Sequence, residues 1–183
     1  MSLTAQTVGL AADPVSARVD AARAGAGLYT PQQRARRDAT KWTLVQGLLA
    51  PFQFVVFLVS LALIVRFLLT DQGLEAANLS VVAKTLTLYT IMVTGAIWEK
   101  VVFGQYLFAP AFFWEDVVSM GVIGLHTAYL AALWLGGLSP TQMMLLALSA
   151  YAIYVVNAGQ FLWKLRMARL QGGANGTVAG VPA

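Results

Sequence analysis

Residues 44–69 read LVQGLLAPFQFVVFLVSLALIVRFLL, and this run decides the fold class. The run is longer than the roughly 20 apolar residues that an α-helix needs to cross the hydrocarbon core of a bilayer. Arg66 is its only charged residue. A helix satisfies its backbone hydrogen bonds internally, as lipid requires. The run therefore predicts a membrane-spanning helix, which Pro51 should kink.

Three further apolar runs follow, at residues 79–98, 117–135 and 141–163. Of the 183 residues, 58 % are hydrophobic and only 11 % are charged, which is too little charge for the surface of a soluble domain. We therefore predict an all-α, polytopic membrane protein, a bundle of four transmembrane helices. We expect this domain to cover residues 30–170, between a mobile cytoplasmic tail at 1–29 and a mobile C-terminal tail at 171–183.

Two capping patterns predict where helices begin. TPQQ at residues 30–33 and SPTQ at residues 139–142 each combine a hydroxyl residue, a proline in the first turn and a glutamine at the third helical position. This combination is a capping box, in which the two side chains satisfy free backbone N–H groups.

The basic residues predict the orientation of the spans. One side of the bundle receives Arg34, Arg36, Arg37, Lys41, Lys100, Lys164, Arg166 and Arg169, and the other receives only Arg66 and Lys84. Because cytoplasmic flanks carry the excess of Lys and Arg, both termini are expected in the cytoplasm. The net charge of +4 belongs to these flanks, which argues against nucleic acid as a partner. Lys84, near the end of its span, is expected to snorkel.

Polar residues follow helical spacing within the first two spans. In the first span, one set lies at intervals of seven and predicts a packing seam or a site wall; it consists of Gln46, Gln53 and Ser60. In the second span, three threonines are expected to bond either to their own backbone or to a substrate; they are Thr87, Thr90 and Thr94.

Residues 99–116, EKVVFGQYLFAPAFFWED, join the second and third spans. The segment is too interrupted to span, so we predict that it is interfacial or re-entrant. Glu99, Glu115 and Asp116 then face one cytoplasmic mouth of the bundle. Acids at a helix N-terminus also stabilise the helix without further function. Crowded in a partly dry site, however, like charges disfavour each other's ionisation and leave a carboxylic acid available near neutral pH.

His126, the only histidine, lies near the middle of the third span. Helical spacing places it on one face with Glu115, Ser119, Val122 and Tyr129. An ionisable residue at this depth is a functional candidate, although a hydrogen bond to another helix would also explain it. With no cysteine and one histidine, a thiolate or histidine-rich metal centre is excluded, and we predict no metal site.

Aromatic residues are dense around the same mouth, and they can wall a long flat cavity for a large planar lipophilic substrate. They are Trp98, Phe103, Tyr106, Phe108, Phe112, Phe113 and Trp114. An ordinary interfacial aromatic belt is the alternative. The residues alone thus indicate a membrane enzyme or a pigment binder.

Four strings narrow this choice. They are LYTPQQRARRDATKWTLVQGLLAPFQF from residue 28, IMVTGAIWEKVVFGQYLFAPAFFWEDVVSM from residue 91, LHTAYL from residue 125 and YVVNAGQFLWKLR from residue 154. Over residues 28–169 the chain resembles the 3-vinyl bacteriochlorophyllide hydratase family of bacteriochlorophyll synthesis.

The resemblance implies a hydro-lyase that adds water to the 3-vinyl group of chlorophyllide a or 3-vinyl bacteriochlorophyllide, giving a 3-(1-hydroxyethyl) group. It implies no cofactor, since the magnesium belongs to the substrate. The expected location is the bacterial inner (intracytoplasmic) membrane. The expected partners are the chlorophyllide, the lipid bilayer, and either other bacteriochlorophyll-synthesis enzymes or further copies of this chain.

The roles of residues follow from chemistry and position, not from the resemblance. Vinyl hydration needs an acid and a base, and Glu99, Glu115 and Asp116 are the candidates. His126 is a candidate to ligate the substrate magnesium or hold a water, and Lys100 to pair with the propionate. Further candidate contacts are Trp98, Phe113, Trp114, Tyr129 and Asn157.

Two alternatives stay open. One is a non-catalytic chlorophyll-binding or assembly protein with His126 as axial ligand. The other is a small transporter or channel subunit, which charges at the span ends disfavour.

Overall fold

A computed structural model describes residues 28–178 of the protein, with side chains described to Ala168. Within this range the chain forms five α-helices and no strand. The helices are α1 (Pro31–Ala39), α2 (Lys41–Thr70), α3 (Leu74–Phe103), α4 (Phe113–Leu135) and α5 (Pro140–Val178). The last four are long and apolar enough to cross a membrane, which confirms the all-α, four-span fold.

Both predicted capping boxes are present. The Thr30 N–H donates to Gln33 Oε1 at 2.9 Å, and the Gln33 N–H donates to Thr30 Oγ1 at 3.2 Å. Ser139 and Gln142 exchange the equivalent bonds at 2.8 and 3.3 Å. The predicted starts of α1 and α5 are therefore confirmed.

The structure describes only the inner ends of the predicted tails. Tyr29, which we assigned to the N-terminal tail, is buried. Helix α5 continues to Val178, beyond the predicted tail boundary at residue 171. The rest of the predicted tails, residues 1–27 and 179–183, lies outside the described residues.

The helices pack as two hairpins that close into a ring. Helix α2 packs along α3, and α4 packs along α5; the hairpins meet where α3 touches α4 and where α2 touches α5. Helix α1 lies against α3. We call the end of the bundle where α1 lies the α1 end. It holds the start of α2, the end of α3, the start of α4 and the C-terminal half of α5.

Hydrogen bonds between helices confirm the packing seam on α2. Gln46 donates to Thr94 Oγ1 at 2.7 Å, and the Ser60 hydroxyl bonds those of Ser80 and Tyr151 at 2.7 and 2.6 Å. Gln53 is buried on the same face. The three threonine hydroxyls on α3 each bond carbonyl oxygens of their own helix, as predicted.

The prediction that Lys84 snorkels is wrong. Helix α3 begins at Leu74, five residues before the predicted span, so Lys84 lies ten residues, or about 15 Å, inside it. Its side chain faces the interior of the ring and is 0 % exposed.

Candidate active site at the α1 end of the bundle

The α1 end is covered by the connecting loop, residues 104–112, which joins α3 to α4. Helix α3 ends at Phe103. The next residue, Gly104, has a φ of 90° that favours glycine, and Lys100 Nζ donates to the Gly104 carbonyl at 2.8 Å. The loop folds back onto the bundle and buries Ala109 and Phe112. With the adjoining helical turns, it forms the predicted segment between the second and third spans.

Two of the three predicted acids meet beneath this loop. Glu99 in the last two turns of α3 and Asp116 in the first turn of α4 are 5 % and 3 % exposed, and their carboxyl groups lie close enough to each other to share a hydrogen bond. We call them the carboxyl pair. Asp116 Oδ2 accepts the Phe108 N–H at 2.7 Å, and Glu99 Oε2 accepts the Ala109 N–H at 3.3 Å. The pair therefore also fixes the loop.

The contact between these two carboxyl groups defines what the pair can do. A hydrogen bond between two carboxyl groups needs one proton, because an ionised carboxylate only accepts. Two negatively charged carboxylates side by side in a buried site would also repel each other strongly. Glu99 and Asp116 therefore place a proton donor and a proton acceptor side by side.

The third acid, Glu115, is bound elsewhere. Lys164 Nζ, from α5, lies 2.5 Å from Glu115 Oε2 and also donates to the Ala111 carbonyl. Asn157 Nδ2 donates to the Glu115 carbonyl at 2.9 Å, and Asn157 Oδ1 accepts from Ser119 at 3.3 Å. These groups join α4, α5 and the connecting loop, so the structure separates the three acids into a carboxyl pair and an ion pair.

The predicted aromatic wall divides into two layers. An inner cluster packs under the loop with ring centroids 5.7–6.4 Å apart and consists of Tyr29, Trp98, Phe103, Phe112 and Phe161. Trp98 Nε1 also donates to Thr43 Oγ1 at 2.9 Å. Burial raises the pKa of the Tyr29 phenol, although the nearby Arg37 guanidinium opposes this shift. The outer layer is exposed, and Phe113 and Trp114, on the first turn of α4, are 43 % and 68 % accessible.

His126 and Tyr129 lie deeper in the bundle. The predicted face of α4 is confirmed, since all its members are buried. His126 is ten residues, about 15 Å of helix, from Asp116. Its Nδ1 lies 2.8 Å from the Val122 carbonyl, and its ring stacks on Tyr151. Tyr129 donates its hydroxyl proton to Asn78 Oδ1 at 2.7 Å. The structure therefore does not bring either residue to the carboxyl pair.

The remaining predicted contact, Lys100, is exposed and lies 5.3 Å from the Tyr106 ring centroid. A cleft of about 380 Å³ opens between α2 and α3, far from the α1 end, and its wall is aliphatic apart from Ser80. It is not the aromatic-walled cavity that we predicted. Within the described residues, no three His, Cys, Asp or Glu side chains are placed to hold a metal ion.

Two lysines of this interior were not among the predicted site residues. Lys164 lies seven residues after Asn157, so its spacing already placed it on the buried face of α5. Lys84 lies fifteen residues before Glu99, or about four turns, so it shares the inner face of α3. Helical spacing was therefore the signal for both.

Fold and site together define a polytopic α-helical membrane protein with a buried carboxyl pair at one end of its bundle. Residues 29–167 match the model of the family described as 2-vinyl bacteriochlorophyllide hydratase (BCHF). The chain belongs to this family, and it is therefore an enzyme of the hydro-lyase class. The numbers 2 and 3 denote the same vinyl group in two numbering systems for the macrocycle.

Two relatives carry the name 2-vinyl bacteriochlorophyllide hydratase. The protein of Rhodobacter capsulatus is 72 % identical over 145 residues, covering 79 % of this chain and 84 % of the relative. The protein of Cereibacter sphaeroides is 71 % identical over 143 residues, covering 78 % and 89 %. No solved structure matches the chain.

Proposed function

We propose that the protein adds water to the vinyl group of chlorophyllide a or vinyl bacteriochlorophyllide, forming a 1-hydroxyethyl group, and that the carboxyl pair supplies the acid and the base. The names of the relatives support the reaction. The observation that carries the mechanism is the buried contact between Glu99 and Asp116.

The protonated member of the pair gives its proton to the terminal vinyl carbon. The two π electrons form the new C–H bond and leave a cation on the carbon beside the macrocycle, which delocalises it. Water attacks that carbon, and a carboxylate of the pair takes the proton that the water loses. Each general acid or base of this kind typically contributes about 10²–10⁴-fold to the rate.

The contact between the two groups also resets the site. One proton leaves the pair for the vinyl carbon, and one proton returns from the water, so the pair ends the cycle with the single proton it began with. Because the two carboxyl groups lie within hydrogen-bonding reach of each other, that proton can pass between them. The cycle needs no cofactor, and the magnesium enters with the substrate.

The membrane supplies the pigment in this proposal. Phe113 and Trp114 expose their rings on the first turn of α4, the turn that also carries Asp116, and a planar lipophilic molecule can approach this turn from the bilayer. The excess of basic residues at the α1 end favours placing this end, and both termini, in the cytoplasm. Water and protons then arrive from the cytoplasm, and the membrane is the bacterial inner membrane.

One observation favours a second function, non-catalytic pigment binding. His126 Nδ1 bonds a backbone carbonyl, so the lone pair of Nε2 is free, as in an axial ligand. However, the offset of about 15 Å along α4 exceeds the distance from the magnesium to the vinyl group of one macrocycle. A pigment held by His126 through its magnesium would therefore not reach Asp116 with its vinyl group.

The test uses purified full-length protein in detergent with chlorophyllide a. We expect a product heavier by one water, with blue-shifted absorption. Glu99→Gln and Asp116→Asn should each lower kcat by about 10²–10⁴-fold, because the amide preserves shape but cannot act as an acid. Pigment binding and the melting temperature should stay near the wild-type values.

Glu115→Gln is the matched control. It changes an acid of the same cluster, but this acid is already held in the ion pair with Lys164. We expect it to retain more activity than either variant of the carboxyl pair. Full activity in both pair variants would refute the acid–base assignment. Pigment binding without any hydration, abolished by His126→Ala, would instead establish the binding protein.

A further inference from the structure

The two members of the carboxyl pair differ in the hydrogen bonds that they accept from the connecting loop. Asp116 Oδ2 accepts the Phe108 N–H at 2.7 Å, whereas Glu99 Oε2 accepts the Ala109 N–H at 3.3 Å. A hydrogen bond to an ionised acceptor is shorter and roughly twice as strong as one between neutral groups. The bond at Asp116 has the length of a bond to an ionised acceptor, and the bond at Glu99 is longer than usual for an N–H donor. The loop therefore stabilises a negative charge on Asp116 more than on Glu99.

The helix ends favour the same distribution of charge. Asp116 lies in the first turn of α4, where the free N–H groups of the helix carry a partial positive charge. Glu99 lies in the last two turns of α3, toward the free carbonyl groups and their partial negative charge. An anion is stabilised at a helix N-terminus and destabilised at a C-terminus, so the two dipoles also place the charge on Asp116.

The charged neighbours of the pair do not oppose this distribution. Glu115 and Lys164 both interact with Asp116, but they carry opposite charges and form an ion pair with each other, so their effects largely cancel. Lys100, the neighbour of Glu99 in the sequence, is exposed and donates to the Gly104 carbonyl. Within residues 28–168, no cation forms an ion pair with Glu99.

We propose that Glu99 carries the proton of the carboxyl pair and is the acid, and that Asp116 is the ionised base. This inference rests on the proposed function and deepens it, because it assigns the two roles that the reaction requires. Glu99 gives its proton to the terminal vinyl carbon and becomes a carboxylate. Asp116 takes a proton from the water whose oxygen bonds to the carbon beside the macrocycle. Transfer of that proton from Asp116 to Glu99 restores the starting state.

The assignment also orients the substrate. An acid must lie within hydrogen-bonding reach of the atom that it protonates, so the terminal vinyl carbon lies against Glu99 on α3. The attacking water must lie within the same reach of Asp116 on α4. The vinyl group therefore enters with its terminal carbon toward α3 and with the carbon that receives the water toward α4.

Infrared spectroscopy of the purified full-length protein in detergent, without pigment, locates the proton. A protonated carboxylic acid has a C=O stretching band that a carboxylate lacks, and this band moves when H₂O is replaced by D₂O. In mildly acidic buffer we expect the band in wild type and in Asp116→Asn, and its loss in Glu99→Gln. Glu115→Gln is the control and should keep the band, because that acid is held as a carboxylate by Lys164.

A band lost in Asp116→Asn and kept in Glu99→Gln would reverse the assignment, and a band lost in both variants or kept in both would also contradict it. Glu99→Asp and Asp116→Glu keep both carboxyl groups and replace any amide variant that does not fold. With these variants the band should change its frequency only in Glu99→Asp. A change only in Asp116→Glu would place the proton on Asp116.

The pH dependence of the residual hydration of chlorophyllide a tests the roles during turnover. Asp116→Asn retains only the acid, so its residual rate should fall at high pH, where Glu99 loses its proton, and should not fall at low pH. Glu99→Gln retains only the base, so its residual rate should fall only at low pH. The opposite pair of profiles would overturn the assignment. Failure of the proposed function is distinguishable, because wild type would then hydrate no pigment while the infrared band would still locate the proton.

Discussion

At the scale of single residues, the connecting loop depends on two backbone conformations that L-residues rarely adopt. Gly104 has φ of 90°, and Phe108, a bulky residue, has φ of 59°. Phe108 is held there by its N–H bond to Asp116. A non-glycine residue in this region is strained, and such strain is typical of functional sites. The carboxyl pair and the shape of the loop therefore stabilise each other.

Replacing Gly104 with alanine should lower the free energy of unfolding by about 1–2 kcal/mol, because a side chain disfavours the left-handed conformation. Gly47→Ala is the matched control. Gly47 is exposed within α2, and nothing lies within 4 Å of the added Cβ, so alanine should leave the melting temperature in detergent unchanged or raise it. Equal melting temperatures for the two variants would contradict the backbone argument.

At the scale of elements, Lys164 joins α5 to α4 and to the connecting loop. It pairs with Glu115 and with the Ala111 carbonyl, whereas the other interior lysine, Lys84, pairs with nothing described. Lys84 is fully buried and the Lys164 side chain is 26 % exposed, so we expect the two lysines to contribute differently to stability.

Lys164→Met should destabilise the protein by about 1–3 kcal/mol, because it leaves a buried carboxylate and a carbonyl unsatisfied. Lys84→Met should leave the melting temperature unchanged or raise it, since a flexible apolar side chain of similar length replaces a fully buried amine that has no hydrogen-bond partner among the described residues. The melting temperatures of both variants are compared by thermal unfolding in the same detergent. A larger loss in Lys84→Met would indicate that Lys84 has a structural partner.

At the scale of the whole molecule, the ring of two hairpins explains how distant residues form one site. The end of α3 and the start of α4 meet in the carboxyl pair, and α5 adds Lys164 from 48 residues beyond Asp116. The carboxyl pair, the ion pair of Lys164 with Glu115 and the connecting loop all lie at the α1 end. The orientation of the helix bundle across the membrane therefore decides which compartment supplies water and protons to the proposed reaction.

Cysteine labelling tests this orientation, because the chain has no cysteine of its own. Gln72, between α2 and α3, and Gln105, in the connecting loop, are both exposed and lie at opposite ends. With a membrane-impermeant maleimide on intact cells, Gln72→Cys should be labelled and Gln105→Cys should react only after lysis. The reverse pattern would place the carboxyl pair on the outer side of the membrane.

Much of the fold was predictable from local features of the sequence. Span length and composition predicted the four helices, and the residues at 30–33 and 139–142 predicted two helix starts. The spacing from Glu115 to Tyr129 predicted the buried face of α4. Each of these features depends on neighbours within a few turns of one helix, so the sequence carries them directly.

The sequence by itself determined the membrane class, the polar faces and the presence of three acids at one mouth. Only the tertiary structure decided that Glu99 and Asp116 form the pair, that Lys164 takes Glu115, and that Lys84 is buried in the ring instead of snorkelling. The physical reason is that each of these outcomes depends on which helices are neighbours. Helical periodicity specifies which residues share a face, but packing between separate helices decides what that face meets.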